Sequence, residues 1–247
     1  MNSTHSQELI PVHHLGGATR SVVLASGDTG DFLRVNDFAR HTGWLHGPAV
    51  AYANYGVVAF AVLLLAGWVL ARRVHAAPMM ARALLAPVGM LIAVAVNQPI
   101  VHAVDEPRPY TRLPNALLLV HRSADASFPS DHATMAGAVA AGLLLVSWRL
   151  GALATVAAVL MAFTRVYVGA HYPVDVLAGL AVGAVVAVLV SLAAGPTVQR
   201  LVTWVLSTRL RPLLTDEHPT SGSAPPAPER HQMMRSRRTT SPDGARR

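Results

Sequence analysis

The 247 residues are 52% hydrophobic and only 13% charged, with a formal net charge of +7 and no cysteine. A soluble domain carries about 25% charged residues, so this composition excludes an ordinary water-soluble fold. The missing thiols exclude disulfides and cysteine-bound zinc. All twenty basic residues are arginines.

The first thirty residues lack a charged start followed by an apolar core, so no cleavable signal peptide is expected. Asp31–Arg40 (DFLRVNDFAR) carries apolar residues at helical spacing and is expected to lie on the outer membrane interface. Apolar blocks follow at roughly Ala49–Ala71, Met79–Val101, Ala133–Trp148, Ala152–Val168 and Val174–Ala194. A span needs about 20 apolar residues to cross about 30 Å of hydrocarbon. These blocks meet or approach that length, and they are apolar all round rather than on one stripe. The block at Ala133–Trp148 is short, so its polar N-terminus is expected within the interface. Residues 215–247 are rich in Pro, Ser, Thr and Arg and read as a disordered tail. Its arginines are expected to meet anionic lipid headgroups rather than nucleic acid.

Arginine placement sets the expected orientation. Thirteen arginines (Arg72, Arg73, Arg82, Arg149 and nine after the last block) share one side with four acids, against seven arginines and nine acids on the other. Cytoplasmic loops carry the basic excess. The sequence therefore predicts an all-α, multi-pass membrane helix bundle of about five transmembrane helices, N-out and C-in. Residues 1–47 form an extracytoplasmic segment with an interfacial helix, 48–196 the membrane-embedded core, 197–214 a juxtamembrane segment and 215–247 the cytoplasmic tail.

Three polar islands stand at the outer ends of these blocks: DEPRPY with Arg108, FPSDH with Ser130, Asp131 and His132, and TRVYVGAHYPVD with Arg165, His171 and Asp175. Polar groups at membrane depth are costly and are functional candidates by default. Pro129-Ser130 reads as a helix start with Ser130 as N-cap, leaving N–H groups free near residues 131–133. Such an N-terminus binds phosphate oxygens. Pro173 suits a first helical turn, which puts Asp175 where a carboxylate is favoured and within reach of His171. That pairing leaves the second ring nitrogen basic, the orienting logic of a catalytic triad. Arg108 and Arg165 add forked donors suited to phosphate. Taken singly, His171 reads as structural, Asp175 as a cap and each arginine as a headgroup anchor. Of the twelve histidines, only His132 and His171 have such company.

These residues resemble the type 2 phosphatidic acid phosphatase superfamily. Its signature has three blocks: Lys, six residues, then Arg-Pro; Pro-Ser-Gly-His; and Ser-Arg, five residues, His, three residues, Asp. Here they correspond to Arg108-Pro109, to Pro129-Ser130-Asp131-His132, and to Thr164-Arg165 with His171 and Asp175. The stretches SFPSDHA and RVYVGAHYPVDVLAG are similar to the branch holding the bacitracin-resistance-type undecaprenyl pyrophosphate phosphatases. The resemblance implies His171 as nucleophile forming a phosphohistidine, Asp175 as its support and His132 as proton donor and then base. It implies that Arg108, Arg165, Ser130 and the backbone at Asp131 bind the phosphoryl oxygens, with no metal and no cofactor. The partners it implies are a lipid phosphate substrate and membrane lipids, at a bacterial cytoplasmic membrane with the site facing outward.

The chain departs from the signature at Val101, where the motif has Lys, and at Asp105-Glu106. Asn97 and Gln98 share a helix face with position 101 and are expected to take over part of its role in substrate binding. Two readings stand beside hydrolysis: phosphoryl transfer to another lipid, and a catalytically weakened phospholipid-binding or transport protein.

Overall fold

The computed structural model describes residues 15–208, with side chains from residue 28 onward, and every regular element among them is helical. α1 spans Leu15–His41, α2 His46–Val74 and α3 Ala77–Val104. A single turn, α4 (Pro109–Arg112), precedes α5 (Asp131–Val146), α6 (Trp148–Tyr167) and α7 (Pro173–Leu206). α2, α3, α6 and α7 are each long and apolar enough to cross a membrane, and α5 is a shorter apolar helix. In hydrocarbon every backbone group must be satisfied within the chain, which leaves helices as the available state for such runs. Left-handed residues close two of them, His75 after α2 and Asp105 after α3. Pro173 opens α7, where its missing N–H has no partner to lose.

The 16 residues of α5 make a rod of roughly 24 Å at 1.5 Å per residue. It is therefore shorter than the hydrocarbon layer, and it is the most enclosed helix. Ala133, Thr134, Ala136 through Leu143, and Val146 are buried against α3, α6 and α7. The contact with α7 is backbone against backbone. A Cβ on Gly183 would stand 2.0 Å from the Thr134 carbonyl oxygen, and one on Gly137 would stand 2.4 Å from the Leu180 carbonyl oxygen. Small residues let membrane helices approach this closely, because lipid supplies no hydrophobic drive between them.

Two elements differ from expectation in extent. α7 continues past Ala194 through Pro196 to Leu206, so the first part of the expected juxtamembrane segment is helix. Val202 is buried there with Ala71, Met80 and Val146. The amphipathic stretch Asp31–Arg40 belongs to the longer α1, which buries Phe32, Asn36 and Ala39 on one face. That face docks on the protein's own loops. Phe32 meets the Tyr172 ring edge-on at 5.5 Å. The Asn36 amide donates to Leu117 O at 2.8 Å and accepts from Leu117 N at 2.9 Å. Asp28 Oδ1 accepts from Val174 N, the second residue of α7, at 3.0 Å. The expected tail at 215–247 and residues 1–14 lie outside the described residues.

The α5–α7 seam yields a direct test. Gly183→Val drives a side chain into a carbonyl that belongs to the facing helix, and overpacking of this kind costs about 1–3 kcal/mol. Thermal unfolding in detergent is expected to show a lower midpoint for that variant. Gly195→Ala, at a position with nothing within 4 Å, is expected to leave the midpoint where it is.

Candidate active site

The ends of α3, α5, α6 and α7, the turn α4 and one loop build the site. α3 ends at Asp105, and the extended residue Arg108 then caps α4 between two prolines. Arg165 occupies the last turn of α6, and a glycine at φ 81°, Gly169, turns the chain toward His171 and α7. Ser130 holds the N-cap position of α5 as expected, although its side chain makes no capping bond. Between α4 and α5 the loop is fastened by Tyr110, whose hydroxyl donates to Ser123 O at 2.9 Å and accepts from Ser123 N at 3.0 Å. These parts surround a cavity of about 150 Å³ walled by Val101, Arg108, Asp131, His132, Arg165 and His171, among others.

The ring of His171 is 2% exposed, and both of its nitrogens have neighbours. Nδ1 lies 2.9 Å from the Ser127 carbonyl oxygen, an acceptor, so Nδ1 carries the proton. Nε2 lies 3.2 Å from Arg108 Nη1, and a guanidinium has only donors, so Nε2 presents its lone pair. The tautomer follows from the two neighbours together. Burial holds this imidazole below its ordinary value of 6.5; the Asp175 carboxylate pulls upward, and Arg165 and Arg108 push down again.

Asp175 is 1% exposed, and among the described residues no guanidinium is in hydrogen-bond contact with it. Its Oδ2 accepts from Tyr172 N at 2.8 Å and from the Ser127 hydroxyl, and it sits at the positive end of α7. Oδ2 is 3.5 Å from His171 Nδ1. The expected direct hold of Asp175 on His171 is therefore shared, and the Ser127 carbonyl is the nearer partner of Nδ1.

Arg108 spends its donors on the protein. Nε donates to Asp125 O at 3.0 Å, Nη2 to Asp125 Oδ2 at 3.0 Å, and Nη1 to Ala170 O at 3.2 Å as well as to His171. Two buried polar atoms are left unsatisfied beside it, Arg165 Nε and Ser130 Oγ. The N–H groups of Asp131, His132 and Ala133 head α5 before Thr134 N makes the first return bond to Ser130 O. A helix end with idle N–H groups, a buried hydroxyl and an unspent guanidinium nitrogen is a cradle for a tetrahedral oxyanion.

Of the residues singled out in the sequence, His132, His171, Arg108, Arg165 and Asp131 reach the cavity wall. Ser130 and Asp175 stand behind it. Asn97 and Gln98, expected as substrate ligands, do not line the cavity; both amides point at Asp131 Oδ1, at 2.7 and 2.9 Å. Asp131 is correspondingly half-buried rather than turned to solvent. Asp125 and Ser127 were not legible in the sequence. They lie in an irregular loop next to the second block, and no residue spacing marks a loop residue that supplies a carbonyl.

A family model described as the PAP2 superfamily matches residues 82–199. The undecaprenyl-diphosphatase BcrC of Bacillus subtilis is 33% identical over 161 residues, covering 64% of this chain and 79% of that protein. The chain belongs to the PAP2 superfamily. An undecaprenyl-diphosphatase of Sulfolobus acidocaldarius is 35% identical over 100 residues, 39% of this chain and 47% of that one. A lipid A 1-phosphatase of Rhizobium johnstonii is 50% identical over 62 residues, 25% of each chain. In fold, the PAP2 chain superposes on the crystal structure of a transmembrane PAP2 type phosphatidylglycerolphosphate phosphatase from Bacillus subtilis with a TM-score of 0.53. That match has 23% identity and covers 70% of this chain and 87% of that one.

The direction of the His171 shift has a measurable sign. A depressed histidine value means that the neutral ring persists to lower pH. At pH 6.5, where an ordinary imidazole is half protonated, His171 is expected to remain mostly neutral with its proton on Nδ1. Nitrogen-15 spectra of histidine-labelled protein, assigned with His171→Gln, read this directly, and a half-protonated ring at that pH contradicts it.

Proposed function

We propose that this PAP2 lipid phosphatase hydrolyses a phosphate or diphosphate ester of a lipid, with undecaprenyl diphosphate as substrate, through a phosphohistidine on His171. The observation that carries the reading is the pairing of Arg108 Nη1 with His171 Nε2, which marks a buried, unprotonated nitrogen at the wall of an arginine-lined cavity. The undecaprenyl-diphosphatase activity named for the Bacillus subtilis relative supports the choice of lipid.

The steps follow from the atoms. The phosphoryl group enters the α5 cradle, and its oxygens draw Arg108 and Arg165 toward them. His171 Nε2 attacks phosphorus, and the bond from phosphorus to the leaving lipid oxygen breaks. His132, protonated once the phosphate anion lies beside it, gives its proton to that oxygen as it departs. Neutral His132 then takes a proton from water, the hydroxide oxygen attacks phosphorus, and the P–N bond returns its electron pair to His171. Ser127 O and Asp175 hold the Nδ1 proton while the ring carries positive charge. Fixed donors aimed at developing oxyanion charge are usually the largest single contribution to such catalysis.

Val101 on the cavity wall favours a second reading, a phospholipid-binding protein with slow turnover, because the position supplies no donor. Phosphate release separates the two. Purified protein is expected to release phosphate from undecaprenyl diphosphate faster than from phosphatidic acid, and His171→Ala is expected to lower that rate by more than ~10³-fold. Binding of the lipid without release sustains the second reading.

The bacterial cytoplasmic membrane and an outward-facing site complete the proposal, on the strength of the arginine bias. The chain has no native cysteine, so Ala124→Cys in the exposed loop before α5 is a clean probe. A membrane-impermeant maleimide added to intact cells is expected to label it, and labelling only after lysis reverses the orientation.

A further inference from the structure

Asp131 stands at the first residue of α5, where its carboxylate lies beside a cradle meant for another anion. Two like charges at that range repel, and a bare aspartate there opposes phosphate binding. The amides of α3 engage this carboxylate at the cavity wall without a cation. Asn97 Nδ2 donates to Oδ1 at 2.7 Å and Gln98 Nε2 donates to the same oxygen at 2.9 Å. Asn97, fully buried at 0% exposure, also donates to the Pro129 carbonyl at 3.1 Å. The consecutive amides of α3 thus grip α5 at two successive points, the backbone before Ser130 and the side chain after it.

We infer that Asp131 is a positioning residue whose carboxylate, held by the Asn97 and Gln98 amides, docks the first turn of α5 on α3 and so sets the phosphate cradle and His132. The inference rests on the phosphatase reading of the site. It gives α3 a role in the site that does not require contact with substrate. α5 is fixed to α7 by close backbone packing, and the amide grip adds a second, polar attachment at its N-terminal end. That end carries every group assigned to the leaving side of the reaction. Neutral amides suit the task because a cation at their place would pair with phosphate as readily as with Asp131.

Three variants of the full-length protein in lipid nanodiscs test this: Asp131→Ala, Asp131→Asn and Asn97→Leu. Two readouts are taken: steady-state phosphate release from undecaprenyl diphosphate, and hydrogen exchange at the amides of residues 131–136. Asp131→Ala and Asn97→Leu are expected to lower kcat at least tenfold with KM changed less, and to speed exchange in that turn. Asn at position 131 keeps an oxygen acceptor for both amides, so Asp131→Asn is expected to recover most of kcat and the slow exchange. An Asp131→Asn variant as impaired as Asp131→Ala overturns the inference, since charge rather than docking then matters. Unchanged exchange in Asp131→Ala overturns it whatever the activity. Absence of phosphate release from the wild type defeats the phosphatase reading alone, and the exchange comparison still decides the docking.

Discussion

Everything in this site depends on how closely α5 and α7 lie. Glycines at 137, 179 and 183 bring carbonyls of one helix to within side-chain distance of the other's Cα atoms. At the outer end of the seam the approach becomes a hydrogen bond, Ser130 N to Asp175 O at 3.1 Å. The two helix N-termini therefore sit side by side, one heading the oxyanion cradle and the other supporting His171 through Asp175. Two positive helix ends at this spacing repel each other, and the packing below holds them together. The arrangement places anion-binding groups opposite an imidazole without relying on any flexible loop for the main distance.

Charge is balanced locally around the cavity rather than across it. Arg108 is matched by Asp125, and Asp175 by the backbone of α7 and the Ser127 hydroxyl. Asp131 is matched by two amides. Arg165, on the cavity wall, keeps a buried Nε donor without a partner. A buried donor without a partner costs on the order of 1–3 kcal/mol, a cost that a phosphoryl oxygen bound there, as proposed, would remove.

Much of this was readable in advance because lipid imposes a simple code. Long apolar runs announced α2, α3, α6 and α7, and three polar islands at their ends announced Arg108, His132, Arg165, His171 and Asp175. α5 was legible as short for the same reason. What escaped depends on contacts between distant segments. Asn97 and Gln98 look like spare phosphate donors on a helical wheel, and only the approach of α5 turns them toward Asp131. Ser127 contributes mainly through its carbonyl, a group every residue possesses and no sequence pattern distinguishes. The helical spacing of Asp31–Arg40 is visible in the sequence, whereas the contact of its buried face with Tyr172 and the loop at Leu117 is not.

The resting bond between Arg108 and His171 makes the site self-shielding. The lone pair on Nε2 is covered by a guanidinium until an anion draws that group aside, as a phosphoryl oxygen would. A neutral electrophile diffusing in from the membrane brings no such pull and meets a masked nitrogen. In the proposed mechanism, selectivity for anionic esters is in this sense exercised before any bond is made, by the same side chain that then binds the phosphate.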